Sequence, residues 1–277
     1  MKVKIALIQM SMTANLEDNL KKALANISTA AKLGANIVCL PELFTSPYFP
    51  NQQKAKADHY LEQVPGKTTE TLAKAARDLG VVVVGGSIYE KDGSKKYNTS
   101  FVIDADGKLL GKYRKVHIPH DPSFYEQNYF EKGNLGFQVF ETKYGKIAPL
   151  ICYDQWFPEA ARTVALMGAQ IIFYPTAIGT VDGVEQSEGN WQEAWRAVQR
   201  GHAIANACVV ATVNRVGKEG SSNFWGGSFI YSQFGTLLIH GSNDEEFVMA
   251  EVDLSLSDEV KKGWRFFEER RPDVYKI

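Results

Sequence analysis

Two periodicities alternate along the chain. VKIALIQM (3–10), NIVCLPELF (36–44), VVVVGGSIYEK (81–91), KIAPLICYD (146–154), QIIFYPTA (170–177) and CVVATVNRVG (208–217) are short apolar runs that read as strands. VVVV, IVCL and CVVATV are apolar throughout rather than alternating, the pattern of strands covered on both faces. Between them, Leu20, Ala23, Leu24 and Ile27 recur at helical spacing behind Asn15 or Asn19 as a cap. TTETLAKAARDLG (68–80), FPEAARTVALMGA (157–169) and NWQEAWRAVQRGHAIANA (190–207) also read as helices, with Pro158 near a first turn, where a missing N–H costs nothing. YNTSFVIDADGKLLGKYRKVHI (97–118) reads as two strands broken at Ala105-Asp106-Gly107. GSFIYSQFGTLLIHG (227–241) and FVMAEVDL (247–254) add strands, and SDEVKKGWRFFEERRPDVY closes the chain, helical and then extended. Helices alternating with strands, with hairpins mixed in, predict an α/β layered fold in a single domain over 1–277.

Composition narrows the function classes. The chain has 277 residues, 44% of them hydrophobic, enough for a sizeable core. The net charge of -1 lacks the excess of Lys and Arg that a nucleic-acid footprint needs. KYRK (112–115) and the ERR at 269–271 stand among compensating acids, as in a solvated face or an ion-pair network. No apolar run reaches the ~18 residues of a membrane span, and the N-terminus reads as a first strand, not a signal peptide. No nucleic-acid or membrane partner is therefore expected. Three cysteines are too few and too odd in number for a disulfide framework, which places the chain in a reducing, cytoplasmic compartment. His and Cys show no metal-ligand spacing, and neither a metal nor a cofactor is expected.

Candidate chemistry gathers at strand ends. Cys39 and Cys208 read as small core hydrophobes. Cys152 stands where a strand ends before a helix, so it points at a crevice, and the helix N-terminus is expected to favour its thiolate. The cysteine alone leaves a core residue and a nucleophile equally open. Glu42, in the apolar setting IVCLPELF, is a candidate for proton transfer. Lys115 and His117 end another strand and share a face by alternation, which makes His117 a rival base.

PELF (41–44), YRKVHIP (113–119) and ICYDQWFPEAAR (151–162), in that order and at those separations, resemble the nitrilase (carbon–nitrogen hydrolase) superfamily. KIALIQM, GANIVCLPE, FYEQNYFEKGN (124–134), YPTAIG (174–179) and RRPDVY extend the resemblance over essentially the whole chain. The resemblance implies a four-layer α-β-β-α sandwich and a Glu-Lys-Cys triad. Glu42 would be the general base, Lys115 the stabiliser of the tetrahedral intermediate and Cys152 the nucleophile. Glu126 matches a second glutamate of the site, the backbone N–H of Tyr153 would share the oxyanion, and His117 falls to a supporting position. The resemblance also implies a small carbamoyl or amide substrate, and a homodimer or larger homo-oligomer.

The substrate is read from the residues after the nucleophile. Relatives acting on carboxylate-bearing substrates commonly carry an arginine shortly after the catalytic cysteine; here Asp154-Gln155-Trp156 stands instead. CYDQWFPEAAR and YPTAIG are similar to the corresponding segments of family members that act on N-carbamoylputrescine, so the resemblance implies a carbamoyl amine, whose ammonium suits carboxylates and aromatic faces. Tyr48, Phe49, Tyr153 and Trp156 would wall the pocket, with Thr176 and Ala177 of YPTAIG beside them. Asp182, Glu185 and Glu188, with Trp191 beyond, would meet the ammonium, and Glu185 is the acid expected to bind it. The competing reading is a carbamoyl acid or ω-amide bound through Arg162 or Arg196. A third is a non-catalytic interaction protein on the same fold, which would have no need of Glu42, Lys115 and Cys152 together.

Overall fold

The structure, a computed structural model, describes residues 1–275; the last two positions of the predicted 1–277 domain lie outside the described residues. The first half runs β1 (Lys2–Gln9), α1 (Leu16–Lys32), β2 (Ile37–Cys39), α2 (Lys67–Leu79), β3 (Val82–Val84), β4 (Ile88–Asp92), β5 (Lys95–Ile103) and β6 (Leu109–Arg114). Then follow β7 (Phe140–Thr142), β8 (Gly145–Pro149), α3 (Pro158–Leu166), β9 (Ile171–Thr176), β10 (Gly179–Val181) and α4 (Trp191–Asn206). The chain closes with β11 (Val209–Asn214), β12 (Val216–Glu219), β13 (Ser222–Trp225), β14 (Phe229–Tyr231), β15 (Leu237–His240), β16 (Glu246–Asp253) and α5 (Leu256–Trp264).

One sheet is ordered β16-β1-β2-β3-β5-β4, with β6 also paired to β5; the other is ordered β15-β14-β11-β9-β8-β7. The centre of each is parallel, β1–β2–β3 in the first and β8–β9–β11 in the second. Alternation along β1 explains the layers. Val3, Ile5 and Leu7 pack in one cluster with Ile171, Phe173, Val209 and Ala211 of the facing sheet. Ala6 and Ile8 turn outward onto Leu20, Ala23 and Ile27 of α1, in a cluster that also holds Leu72 and Ala76 of α2. On the second sheet, Ile172, Tyr174 and Val210 face Val164 of α3 and Trp195 and Ala203 of α4. The result is the α-β-β-α sandwich, and it is why the central strands are apolar on both faces.

Helix ends follow the sequence signals. The side chain of Asn15 accepts the N–H groups of Glu17 and Asp18, Asn190 caps α4 through Glu193, and α2 stops at Gly80 in the left-handed region. Several boundaries differ from expectation, among them the strand expected to run to 118, which ends at Arg114 as β6. The run 81–91 splits at Gly85-Gly86 into β3 and β4, and the strand expected over 146–154 ends at Pro149, with Cys152–Trp156 forming a separate 3₁₀ turn. A small sheet ordered β10-β13-β12 was not foreseen, because strands this short carry too little periodicity to read. KYRK proves to be part of a buried ion-pair network. Arg114 holds Glu90 from Nε at 2.8 Å and from Nη2 at 2.7 Å, and Lys112 bonds the same carboxylate. Among the described residues, no helix is long and apolar enough to cross a membrane.

Candidate active site

Three segments that follow strand ends bring the polar groups together. Beyond β2, Pro41 and Glu42 enter a turn whose next residue, Leu43, has φ 49°. Gly86 presses against this turn: a Cβ there would lie 2.1 Å from the carbonyl oxygen of Pro41. Lys115 directly follows β6, its N–H donating to the Asn98 carbonyl at 2.9 Å and its carbonyl accepting from Gly133 at 2.8 Å. Cys152 opens the 3₁₀ turn at φ 44°, an unusual angle for a residue with a Cβ. Asp154 secures the turn by accepting the Ile151 N–H at 2.9 Å and the Tyr113 hydroxyl at 2.7 Å. The strand–nucleophile–helix order is therefore kept, but the cysteine stands on its own strained turn rather than in the strand.

Lys115 Nζ donates to Glu42 Oε1 at 2.8 Å and to Glu126 Oε2 and Oε1 at 2.7 and 2.9 Å. Asn98 Nδ2 also donates to Glu42 Oε1 at 2.8 Å, which leaves the buried Oε2 without a protein partner. The Tyr48 hydroxyl donates to Glu126 Oε1 at 2.7 Å. Burial works against the charge of Lys115, but Glu126 and Glu42 outweigh it, and its pKa is raised. Burial, added to by the charge of Glu42 and opposed by Lys115, pushes the Glu126 carboxyl up to about 7. The Cys152 thiol is raised well above its ordinary value by burial and then by Glu42; Lys115 only partly offsets them. Burial and the charges of Glu42 and Glu126 thus outweigh the helix end that was expected to favour a thiolate.

Cys152 lines a cavity of about 520 Å³. Tyr153, Trp156 and Ala177 also line it, as expected, and the Ala177 carbonyl is 3.9 Å from Cys152 Sγ. Tyr48, Thr176, His117 and Glu185 do not line it. Tyr48 lies behind the wall on Glu126, and Thr176 turns its hydroxyl to the Tyr174 carbonyl at 2.9 Å. His117 leaves the face of Lys115 because β6 has ended. Its Nδ1 is 2.7 Å from Asp154 Oδ1, and its ring stacks on Phe157 at 3.6 Å. Glu185 is exposed, and Asp182 pairs with Lys218 at 2.9 Å. Glu188 does line the cavity, where its own backbone N–H and the Trp191 indole hold its pKa below the usual carboxylate range. Asp121 lines it too, and among the described residues no Lys or Arg does. Arg162 is engaged with the Ala205 carbonyl at 2.9 Å, and Arg196 borders a different cavity.

Asn98 and Asp154 were not singled out from the sequence as working residues. Asn98 lies within a strand, and only pairing of β5 with its neighbours aims it at Glu42; Asp154 was noted merely as standing where an arginine was absent. Among the described residues, no group of three or more His, Cys, Asp and Glu side chains is arranged to hold a metal ion.

Comparison with known proteins follows this geometry. Residues 4–262 match the family described as carbon–nitrogen hydrolase. The N-carbamoylputrescine amidase of Solanum lycopersicum is 41% identical over 99% of this chain and 94% of that protein. The citrullinase of Francisella tularensis is 36% identical over 99% of this chain and 96% of that protein. The crystal structure of a carbon–nitrogen hydrolase from Helicobacter pylori G27 superposes with a TM-score of 0.94 at 35% identity, over 99% of this chain and 97% of that one.

Proposed function

The chain belongs to the carbon–nitrogen hydrolase family, and from that premise we propose that it hydrolyses N-carbamoylputrescine to putrescine, CO₂ and ammonia through Cys152. Glu42 takes the thiol proton as sulfur bonds the carbamoyl carbon. Lys115 and the backbone N–H of Tyr153 hold the oxygen as it gains charge. The proton passes from Glu42 to the departing nitrogen, the C–N bond breaks, and the amine leaves a carbamoyl thioester on Cys152. Water, losing a proton to Glu42, attacks that carbon and restores the thiol. The carbamic acid released falls apart to ammonia and CO₂. Glu126 and Tyr48 fix Lys115 from behind and keep its ammonium charged.

The observation that carries the amine-tailed substrate is the charge of the cavity wall. Asp121 and Glu188 are its carboxylates, Trp156, Trp191 and Phe124 offer aromatic faces, and among the described residues no cationic side chain lines it. A substrate carboxylate would meet like charge there, and Arg162 and Arg196 stand elsewhere. The 41% identity to an N-carbamoylputrescine amidase supports the same reading. Ammonia release from a panel of carbamoyl amines, carbamoyl amino acids and ω-amides tests it. Turnover of N-carbamoylputrescine with none of N-carbamoyl-β-alanine is expected; the reverse order sinks it. We further propose a cytoplasmic homodimer or larger homo-oligomer, for which light scattering should return at least twice the chain mass.

A further inference from the structure

Arg215 is fully buried just beyond β11 and is not among the residues lining the cavity. Its Nη1 donates to the backbone carbonyl of Glu42 at 3.3 Å; its Nη2 donates to the Ser46 carbonyl at 3.0 Å and to Glu219 Oε1 at 2.6 Å. The other oxygen of Glu219 accepts the backbone N–H of Tyr48 at 2.6 Å. Three backbone groups of the 42–48 segment thus converge on one ion pair. That segment carries Glu42, and it carries Tyr48, whose hydroxyl holds Glu126. It also passes through Leu43 at φ 49°, a conformation that persists only where the surroundings impose it.

Among the described residues Arg215 Nε has no acceptor, and the guanidinium lies 5.1 Å from the Phe224 ring centroid. A buried ion pair with an unpaired donor is a poor source of stability, because desolvation consumes the Coulombic gain. The planar fork of a guanidinium is nonetheless well suited to gripping several oxygens at once. We propose that the Arg215–Glu219 pair is a positioning device that clamps the 42–48 segment, setting Glu42 against Cys152 and Tyr48 against Glu126. The assignment rests on the reading of Glu42 as the base.

Steady-state kinetics on N-carbamoylputrescine and alkylation of Cys152 by iodoacetamide, both on the full chain, test the clamp. Arg215→Met is expected to lower kcat about tenfold or more while KM stays within about twofold. Arg215→Lys, a point charge in place of a fork, recovers part of the loss. Because Arg215 acts through the segment that carries Glu42, the losses in the double variant Glu42→Gln/Arg215→Met should fall well short of multiplying. Alkylation follows the same order and needs no substrate. Should Arg215→Met fail to fold, Glu219→Gln, which keeps the shape and removes the charge, is expected to lower kcat at unchanged KM. Wild-type kcat in a folded variant, or losses that multiply in the double variant, overturns the clamp. A wild-type protein that alkylates at Cys152 but turns over no carbamoyl amine overturns the substrate reading instead, and the alkylation series then decides the clamp by itself.

Discussion

Lys115 and Glu126 form a buried pair, with Nζ 2.7 Å from Oε2 and both side chains at 0% exposure. Glu42 shares the same ammonium at 2.8 Å, so two carboxylates compete for one cation out of reach of water. One of them must hold a proton more tightly than a carboxyl in water does. Burial pushes the Glu126 carboxyl up, to about 7.

A folded pKa raised above the ordinary 4.5 means that the stability from this group is fully present below pH 4.5 and is lost as pH rises through about 7. The stability advantage of the wild type over Glu126→Gln should therefore be larger at the acid end of that window than above it, measured by denaturant midpoints. The acid limb of kcat/KM should change in Glu126→Gln, because the carboxyl pushed up to about 7 is then gone. A limb that stays in place removes Glu126 from the coupled pair.

Cys152→Ala should abolish turnover, with a loss of about a thousandfold or more. Circular dichroism and the unfolding midpoint should stay close to wild type, because the side chain is small and lies at the cavity wall. Wild-type rates in this variant would falsify the nucleophile.

Glu188→Gln should raise KM for N-carbamoylputrescine about two- to fivefold, the worth of an exposed ion pair, and the effect should shrink with added salt. A neutral alkyl urea of equal length should be unaffected. Glu185→Gln should change neither, because Glu185 does not line the cavity. Equal effects of Glu188→Gln on both substrates would take the ammonium away from this rim.

Gly86→Ala places a methyl 2.1 Å from the Pro41 carbonyl oxygen and must push the Glu42 turn aside. A displacement on the order of 1 Å costs about a hundredfold in rate, so kcat should fall toward that figure in a folded protein. An unchanged kcat would mean that the turn absorbs the methyl without moving Glu42.

Phe173→Ala removes a fully buried ring from the core between the two sheets. The expected cost is about 3–5 kcal/mol in denaturant unfolding. A cost below about 1 kcal/mol, the range of surface changes, would contradict the packing of the two sheets against each other.

The sequence by itself determined the alternation of strands and helices and offered the candidate site residues, and the resemblance implied the four layers. Period-2 and period-3.6 apolar patterns come from local geometry, so β1, β9 and α4 could be read within a residue, and the ends of α1 and β11 within three. PELF, YRKVHIP and ICYDQWFPEAAR pointed to Glu42, Lys115 and Cys152 before any coordinates, and the resemblance added Glu126. Contacts between segments far apart in the chain were not legible, because no local pattern records them. Only the fold sends Asn98 to Glu42, Asp154 to Tyr113 and His117, and Arg215 to the loop 173 residues before it. The weight of the helix end on the thiol was not legible for the same reason: a helix N-terminus is visible in sequence, whereas burial beside two carboxylates is a tertiary fact. The acid at the cavity rim was also decided there, since which of Asp182, Glu185 and Glu188 faces inward depends on the path of the chain between β10 and α4.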